Sequence, residues 1–398
     1  MTPLYFGHAT LVSSIGRGKQ AHLTALQERQ SGLRPCDFEG RRLPTYMGMV
    51  DGLEEVSLIS SLNHFTCRNN RLALLGLQQD GFEDQIAEAR RQYGAQRIGV
   101  LIGTSTSGIL ETEHAYQQTD HETGRLPAAF VPRGRYTQDS FSVAHFVREY
   151  LQLTGPAAVI STACSSSAKV FAAASRFIET GLCEAVVVGG VDSLCLTTLY
   201  GFSALQLTAP GPCRPCDAHR EGLTIGEAAA FVFLEKVPRN GNRQTTAFLG
   251  YGESSDAYHM SHPHPTGQGA ILAMEASLKS SSLSPSDIDY IHMHGTATVA
   301  NDQTEDRSIA AIFQDKTPCS STKGWTGHTL GAAGAVAVVL GDLCLQHGFL
   351  PGCLNTSTVD PTFSSQVLLQ NQEQPIQHIM SNFFGFGGNN CTLILGKL

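Results

Sequence analysis

The chain has 398 residues, of which 41% are hydrophobic and 16% are charged, and its formal net charge is -8. These values are typical of a compact globular protein with more than one substantial core, and they exclude a disordered chain. The negative charge argues against a general nucleic-acid binder or a binder of anionic membranes.

In the first part of the chain, predicted strands and helices alternate. Strands are predicted over 4–12, 98–103, 185–191 and 231–234, with a further strand ending at residue 160; helices are predicted over 19–30, 71–78, 82–93 and 142–150. Residues 31–70 and 111–135 lack periodicity, so we predict an insertion and a loop-rich region there.

A polar stretch over 238–243 predicts a linker between two halves, residues 1–240 and 241–398. After it the pattern begins again, with strands over 247–252 and 290–293 and helices over 270–279 and 329–341. Each half has a reactive residue, Cys164 or His328, ahead of an Ala-rich buried helix. Two such α/β halves would bring the two helices together at the centre of a layered molecule.

The chain has eleven cysteines, and residues 1–10 lack the pattern of a signal peptide. Such cysteine usage indicates reduced thiols in the cytoplasm rather than a disulfide framework. The longest uncharged run, 329–341, is too short to cross a bilayer. We therefore expect a soluble cytoplasmic protein without membrane insertion.

Cys164 lies where a short strand turns into a helix, and Ser161 or Thr162 is predicted to cap that helix. A cysteine at a helix N-terminus is favoured as thiolate, which makes Cys164 a candidate nucleophile. The alternative is a small apolar residue in the core, as most free cysteines are, and this motif alone leaves both interpretations open.

Two further patterns resemble metal sites. Cys213 and Cys216 have C-x-x-C spacing, but no second pair follows at a zinc-like distance, so no metal site is predicted. Three histidines, at positions 259, 262 and 264, lie close together in a polar loop and are also expected to hold no metal.

Four motifs in order resemble those of the β-ketoacyl-acyl-carrier-protein synthases, over nearly the whole chain. They are Thr162-Ala163-Cys164-Ser165-Ser166-Ser167, His294-Gly295-Thr296-Ala297-Thr298 with Asn301, Asp302 and Glu305, Ser321-Thr322-Lys323 with Gly327-His328, and Asn382-Phe383-Phe384-Gly385-Phe386-Gly387-Gly388. The chain resembles the bacterial elongating type, which is related to polyketide ketosynthases.

The resemblance implies a thiolase fold, a layered αβαβα arrangement of two pseudo-symmetric halves. It also implies a homodimer, or a heterodimer with a homologous subunit, that acts on acyl carrier proteins without a metal or organic cofactor. Cys164 would take the acyl chain as a thioester. His294 and His328 would donate hydrogen bonds to the enolate left when malonyl loses carbon dioxide, with protonation set near neutral pH.

The same resemblance assigns supporting roles. Lys323 and Glu305 would form a buried charged pair that orients the histidines, and Phe386 would gate Cys164. Thr106 falls where the family lines the far end of the acyl pocket. The backbone N–H groups of Cys164 and Phe386 could form an oxyanion hole. The acidic carrier would dock on scattered positive residues, for which the candidates are Arg68, Arg71, Arg133 and Arg135.

Some departures from the family pattern favour a specialised synthase, for instance of the aryl-polyene or polyketide type. The region expected to dock the carrier has only scattered positive residues, and the loop over 104–107 is unusually polar. One alternative is a non-catalytic chain-length partner, but such subunits lack the nucleophile. Another is a degradative thiolase, whose site is of the Cys-His-Cys kind.

Overall fold

A computed structural model describes residues 1–131, 133–238 and 245–398. The described residues up to 238 form the first half of the fold. This half contributes five main strands: Leu4–Ser13, Ile98–Gly103, Ala157–Ile160, Ala185–Asp192 and Ala228–Glu235. The second, from residue 245, contributes Thr246–Ser255, Tyr290–His292, Pro318–Ser320, His378–Gly385 and Asn389–Lys397. Most of the linker predicted at 238–243, and the predicted boundary after residue 240, lie outside the described residues.

The main strands of the two described halves have the same topology. In each half the first strand pairs antiparallel with the last, the last pairs antiparallel with the penultimate strand, and two parallel strands follow outward. The two first strands join the halves through only two residue pairs, Leu4 with Phe248 and Tyr5 with Ala247. The predicted repeat is therefore confirmed at the level of strand order.

Helices cover both faces of this sheet and fill the middle layer. Their bounds are Lys19–Gln27, Arg68–Leu77, Phe82–Tyr93, Ile109–Gln117, Gly134–Thr137, Ser142–Tyr150, Ser166–Glu179, Leu196–Ala204, Gln268–Ser281, Val299–Phe313, Lys323–Thr326 and Ala333–His347. Short strands pair as Leu33–Pro35 with Tyr46–Gly48 and Ile225–Gly226, Gly16–Arg17 with the first strand, Phe349–Leu350 with Gln372–Glu373, and Gln366–Val367 with Pro318–Ser320.

The middle layer consists of the first central helix, Ser166–Glu179, and the second central helix, Ala333–His347. Separate clusters of buried apolar side chains form the middle layer and the outer layer of each half. The result is the predicted αβαβα order, in which two half-sheets enclose a shared pair of helices.

Small residues let the two central helices approach closely. A Cβ atom added to Gly334 would lie 2.3 Å from the backbone nitrogen of Ala168, a distance that real side chains do not reach. Ser167 Oγ accepts a hydrogen bond of 2.9 Å from the backbone N–H of Ala335. Glycine at position 334 is therefore required by the contact itself.

The segment Leu330–His347 is long and apolar enough, by length and composition, to cross a membrane. The uncharged run in the sequence suggested a shorter segment, but the helix continues past Asp342, so that length argument was wrong. In the fold, 89% of the segment is buried inside the protein. Its apolar character is thus explained by the two half-sheets that cover it.

One local prediction was partly wrong and another was wrong. Residues 111–135 were predicted to be loop-rich, and residues 118–131 contain no helix or strand, but Ile109–Gln117 is a helix, whose mostly polar residues bury only Leu110 and Ala115. The first central helix begins at Ser166, and neither Ser161 nor Thr162 caps it. Instead, Ser166 Oγ accepts a hydrogen bond of 2.9 Å from the backbone N–H of Thr162, which tightens the turn that carries Cys164.

Candidate active site

Cys164 lies in a sharp turn between the strand Ala157–Ile160 and the first central helix. The preceding residue, Ala163, has a φ of 53°, in the left-handed region that non-glycine residues rarely adopt. Such strain persists only where the surrounding structure holds it, and it is concentrated at functional sites. The turn leaves the Cys164 side chain buried, with 6% of it exposed, at the floor of a cavity.

The second half brings two histidines to this sulfur. His294 follows the strand Tyr290–His292, and His328 follows Gly327, whose φ is 73°. The Nε2 atom of His328 lies 3.0 Å from Cys164 Sγ. The sulfur and one ring nitrogen from each histidine all lie within 4.8 Å of one another. The predicted convergence of residues from opposite halves is therefore present.

Contacts with the first half fix the backbone of His328. Its N–H donates to the carbonyl oxygen of Thr224 at 2.7 Å, and its own carbonyl oxygen accepts from the N–H of Gly226 at 3.0 Å. The rings of His294 and His328 are 5.4 Å apart at an angle of 85°. The edge of one ring thus faces the other, and both rings border the cavity above Cys164.

Burial, followed by the positive charge of Lys323, lowers the pKa of both His294 and His328 well below the ordinary value. The sequence suggested that the protonation can be set near neutral pH, whereas the direction of these pKa shifts favours neutral imidazoles because the rings are fully enclosed. A neutral ring still offers one N–H donor and one lone pair, so the site can donate hydrogen bonds without a full charge.

The Cys164 thiol also differs from the sequence-based expectation. Burial raises its pKa to about 11, while the positive charge of Lys323 and the backbone N–H groups of Phe386 and Cys164 act in the opposite direction. The helix terminus was expected to favour the thiolate, but desolvation outweighs it in the free chain. The backbone N–H groups of Phe386 and Cys164 lie close to the sulfur, and an oxyanion hole would require them to bind the carbonyl oxygen of the acyl group instead.

Lys323 and Glu305 are both buried, and they hold the same peptide segment from two sides. Lys323 Nζ donates to the carbonyl oxygen of His294, while Glu305 accepts from the N–H groups of His294 at 2.7 Å and Gly295 at 2.8 Å. In the described residues their nearest partners are this backbone rather than each other. Burial raises the pKa of Glu305 and lowers that of Lys323.

Phe386 lies in a tight turn beside Cys164, and its backbone N–H points at the sulfur. Gly387 and Gly388, with φ of 76° and 71°, supply the left-handed conformations that the turn needs. The Phe386 ring stacks on Phe202 with centroids 5.6 Å apart. Both rings border a cavity of about 260 Å³ that also contains Cys164, His294 and His328. The gating role of Phe386 stays a prediction.

Thr106 lies away from this cavity, in the loop after the strand Ile98–Gly103. Its hydroxyl donates to Asp192 Oδ1 at 3.0 Å, and its contribution to an acyl pocket remains a prediction. Asp192 was not singled out in the sequence, yet it also accepts from the Thr104 hydroxyl and from the N–H of Gly331. A lone aspartate at a strand end gave no signal of this role.

One residue predicted to dock the carrier is not available for docking. Arg68 is buried, with its guanidinium between Glu227 and Glu54, because its charge is needed to neutralise the buried Glu227. Arg133 and Arg135 are exposed, and Arg71 is half-buried. Of the predicted basic residues, Arg133 and Arg135 are thus the most accessible.

The fold and the site define a thiolase-fold enzyme of the Cys-His-His type. Residues 67–240 match the family model described as the N-terminal domain of β-ketoacyl synthase, and residues 246–357 match that of the C-terminal domain. Together these matches cover most of the chain.

Curated relatives and solved structures agree. The chain is 30% identical to 3-oxoacyl-[acyl-carrier-protein] synthase 2 of Coxiella burnetii, over 98% of this chain and 97% of the relative. It is 34% identical to the mitochondrial 3-oxoacyl-[acyl-carrier-protein] synthase of Arabidopsis thaliana, over 76% and 69%. The ketosynthase ApeO in complex with its chain length factor ApeC, from Xenorhabdus doucetiae, is 37% identical, with a TM-score of 0.89 over 100% of this chain and 98% of that one.

The chain belongs to the β-ketoacyl synthase family. It is a β-ketoacyl-acyl-carrier-protein synthase, an acyltransferase that joins a malonyl unit to an acyl chain by decarboxylative Claisen condensation, in fatty-acid or polyketide biosynthesis.

Proposed function

We propose that Cys164 carries the growing acyl chain. Its sulfur attacks the thioester carbonyl of an acyl carrier protein, and the resulting oxyanion accepts hydrogen bonds from the N–H groups of Cys164 and Phe386. The carrier thiol leaves with the proton of the Cys164 thiol, whose sulfur lies 3.0 Å from His328 Nε2. The product of this half-reaction is an acyl thioester on Cys164.

In the second half-reaction, a malonyl thioester loses carbon dioxide and leaves an enolate. The ring N–H groups of His294 and His328 donate hydrogen bonds to the enolate oxygen, and neutral rings suit this task because they stabilise charge as it develops. The enolate carbon then attacks the acyl carbonyl on Cys164. The carbon–sulfur bond breaks, and a β-ketoacyl chain two carbons longer remains on the carrier.

Lys323 and Glu305 act as positioning residues. Glu305 accepts a hydrogen bond from the N–H of His294, and Lys323 donates one to its carbonyl oxygen. Each bond therefore limits the movement of the His294 ring. Phe386 is proposed to gate the cavity, and Thr106 to contribute to the acyl pocket. We also propose the division of the chain into residues 1–240, which contain the nucleophile, and 241–398, which contain the histidines.

One observation carries this mechanism: the sulfur of Cys164 and a nitrogen from each histidine lie within 4.8 Å of one another, inside a single cavity. The test is intact-mass analysis of the native chain and of Cys164→Ala after incubation with a series of acyl carrier proteins. We expect one acyl adduct on the native chain and none on the variant. An adduct on both proteins would place the nucleophile elsewhere.

The enzyme is proposed to work as a dimer with an acyl carrier protein as its substrate partner. The strand Ala157–Ile160 is at the end of the sheet order, and its four apolar residues are all half-buried. A free apolar edge of this kind pairs readily with a second chain. This strand leads directly to Cys164, so the dimer interface would support the active-site turn.

We further propose that the enzyme is a specialised synthase of the aryl-polyene or polyketide type, with a homologous subunit as its dimer partner. The polar loop over 104–107 and the similarity to ApeO, which was solved with its chain length factor, support this proposal. Elongation of ordinary saturated acyl chains at full rate by the purified homodimer would contradict it.

We propose a cytoplasmic location for the enzyme. The eleven cysteines of the chain are free and buried, which supports this location.

The two alternative functions explain less of the site. A non-catalytic chain-length partner has no use for a cysteine and two histidines that converge on one cavity. In a degradative thiolase a second cysteine would take the place of one histidine, whereas the cluster here consists of Cys164, His294 and His328.

A further inference from the structure

The loop over 256–264, at the mouth of the Cys164 cavity, places two exposed imidazoles unusually close together. The Nδ1 atoms of His259 and His262 are 3.2 Å apart, and their rings meet at 75°. Ser261 Oγ lies 3.4 Å from the first of these nitrogens and 3.2 Å from the second. Three donor atoms thus form a nearly equilateral triangle that faces solvent.

Although the sequence predicted no metal at these histidines, we infer that this triangle is a binding site for a divalent transition-metal ion such as Zn²⁺ or Co²⁺. Zinc binds imidazole nitrogen at about 2.0–2.1 Å, which separates two ligands of a tetrahedral ion by about 3.3–3.4 Å. The sides of the triangle are close to this separation. Imidazole is a favoured ligand of such ions, and water supplies the remaining ligands on the exposed side.

Local hydrogen bonds orient the donor atoms toward each other. The backbone N–H of Ser261 donates to His259 Nδ1 at 3.2 Å, so this nitrogen presents a lone pair rather than a hydrogen. A metal ion would bind this lone pair in place of the Ser261 N–H, together with the lone pair of His262 Nδ1.

The site is connected to the turn that holds Phe386. The N–H of Gly387 donates to the carbonyl oxygen of Met260 at 2.7 Å. The N–H of Asp256 donates to the carbonyl oxygen of Gly388 at 2.9 Å. His259, Ser261 and His262 also border the same cavity as Cys164. A bound ion would stiffen the loop and, through these bonds, the Phe386 turn, which reduces access to Cys164. This effect on access rests on the proposed function; the metal site itself does not.

Metal binding is tested in the Cys164→Ala background, because Cys164, His294 and His328 form a second cluster that could hold a metal ion. The readouts are equilibrium dialysis with Zn²⁺ and the visible absorption of bound Co²⁺. We expect one ion per chain, and at least about tenfold weaker binding when His262→Gln or His259→Gln is added, since loss of even an outer-shell partner weakens metal binding that much. His264→Gln is the matched control, because His264 Nδ1 bonds to Thr266 in the same loop.

The site would be overturned if Cys164→Ala bound Zn²⁺ with the same affinity whether or not His262→Gln was added. A loss of Zn²⁺ binding in the His264→Gln control would also overturn it. The effect on access is measured separately, as Zn²⁺ inhibition of acyl-adduct formation in chains that keep Cys164. We expect His262→Gln to need at least about tenfold more Zn²⁺ than the native chain for equal inhibition. If no chain forms an adduct even without Zn²⁺, the proposed function fails while the dialysis result stands.

Discussion

The two central helices have equivalent positions in the two halves, but they differ in charge and in how they begin. The first carries Lys169 and Arg176 on one side, both paired with Glu253. The second is buried along nearly its whole length. Cys164 precedes the first helix directly, whereas a 3₁₀ turn over Leu330–Ala332 separates His328 from the second.

A shared feature is backbone strain next to the reactive residue. Ala163 and Leu330 have φ of 53° and 51°, so both halves use a non-glycine residue in the left-handed region at this point. The two halves thus share a strand topology but contribute different chemical groups to one site. One half supplies the sulfur, the other supplies the imidazoles, and only the first helix extends a charged side to the surface.

The largest expected effect separates these two contributions. Cys164→Ala should form no acyl adduct but still release carbon dioxide from malonyl carrier, because both histidines remain. His294→Ala should form the adduct and release carbon dioxide at least about 10²-fold more slowly, since it lacks a donor to the enolate. Adduct mass and carbon dioxide release are measured for each. Equal loss of both activities in both variants would contradict the division of labour.

The next effect tests the contact between the helices. Gly334→Ala should lower the free energy of unfolding by about 1–3 kcal/mol, because its Cβ atom would overlap the Ala168 backbone. Gly341→Ala in the same helix is the control: its Cβ would meet only Leu395 Cδ1, at 3.1 Å. Urea unfolding can be followed by fluorescence of the single tryptophan, Trp325, which is fully buried. Equal stability of both variants would mean that the helices can move apart without cost.

A smaller effect concerns the charge that the second half places near the sulfur. Lys323 lowers the pKa of Cys164 against the larger effect of burial. Lys323→Met should therefore move the pH dependence of Cys164 alkylation by iodoacetamide to higher pH, and alkylation at pH 8 should become several-fold slower. Lys169→Met removes a lysine from the first central helix and should leave the curve in place. A curve that stays in place for Lys323→Met as well would mean that its charge does not reach the sulfur.

The smallest effect concerns the charged side of the first helix. Glu253→Gln removes the partner of Lys169, at 3.7 Å, and of Arg176, at 3.1 Å. Partly exposed ion pairs contribute little, so the loss in free energy of unfolding should be below about 1 kcal/mol. A loss as large as that of Gly334→Ala would show that this side of the helix is as critical as its buried face.

Local patterns in the sequence predicted most of the elements. The helix Ser142–Tyr150 and the strand Ile98–Gly103 have the predicted bounds because their apolar periodicity is strong and their ends carry clear turn signals. The motifs also predicted which half contributes each residue of the Cys-His-His cluster. The roles of these residues stay predictions until the experiments above are done.

Properties that depend on distant residues could not be predicted. Arg68 was expected at the surface, but its partner Glu227 is 159 positions away in the chain. The pKa of Cys164 depends on how deeply both halves bury the sulfur, and a helix-terminus argument contains no measure of that depth. The contacts of Lys323 and Glu305 with the His294 backbone likewise arise only when three separate segments meet.

The burial of Leu330–His347 has a consequence for biosynthesis. This segment precedes the strands His378–Gly385 and Asn389–Lys397 in the chain, and both strands pack against it. A chain truncated before residue 378 would lack both strands and would expose a segment whose length and apolar composition match those of a transmembrane anchor. We expect such a chain to aggregate, because an exposed apolar segment of this length associates with other chains.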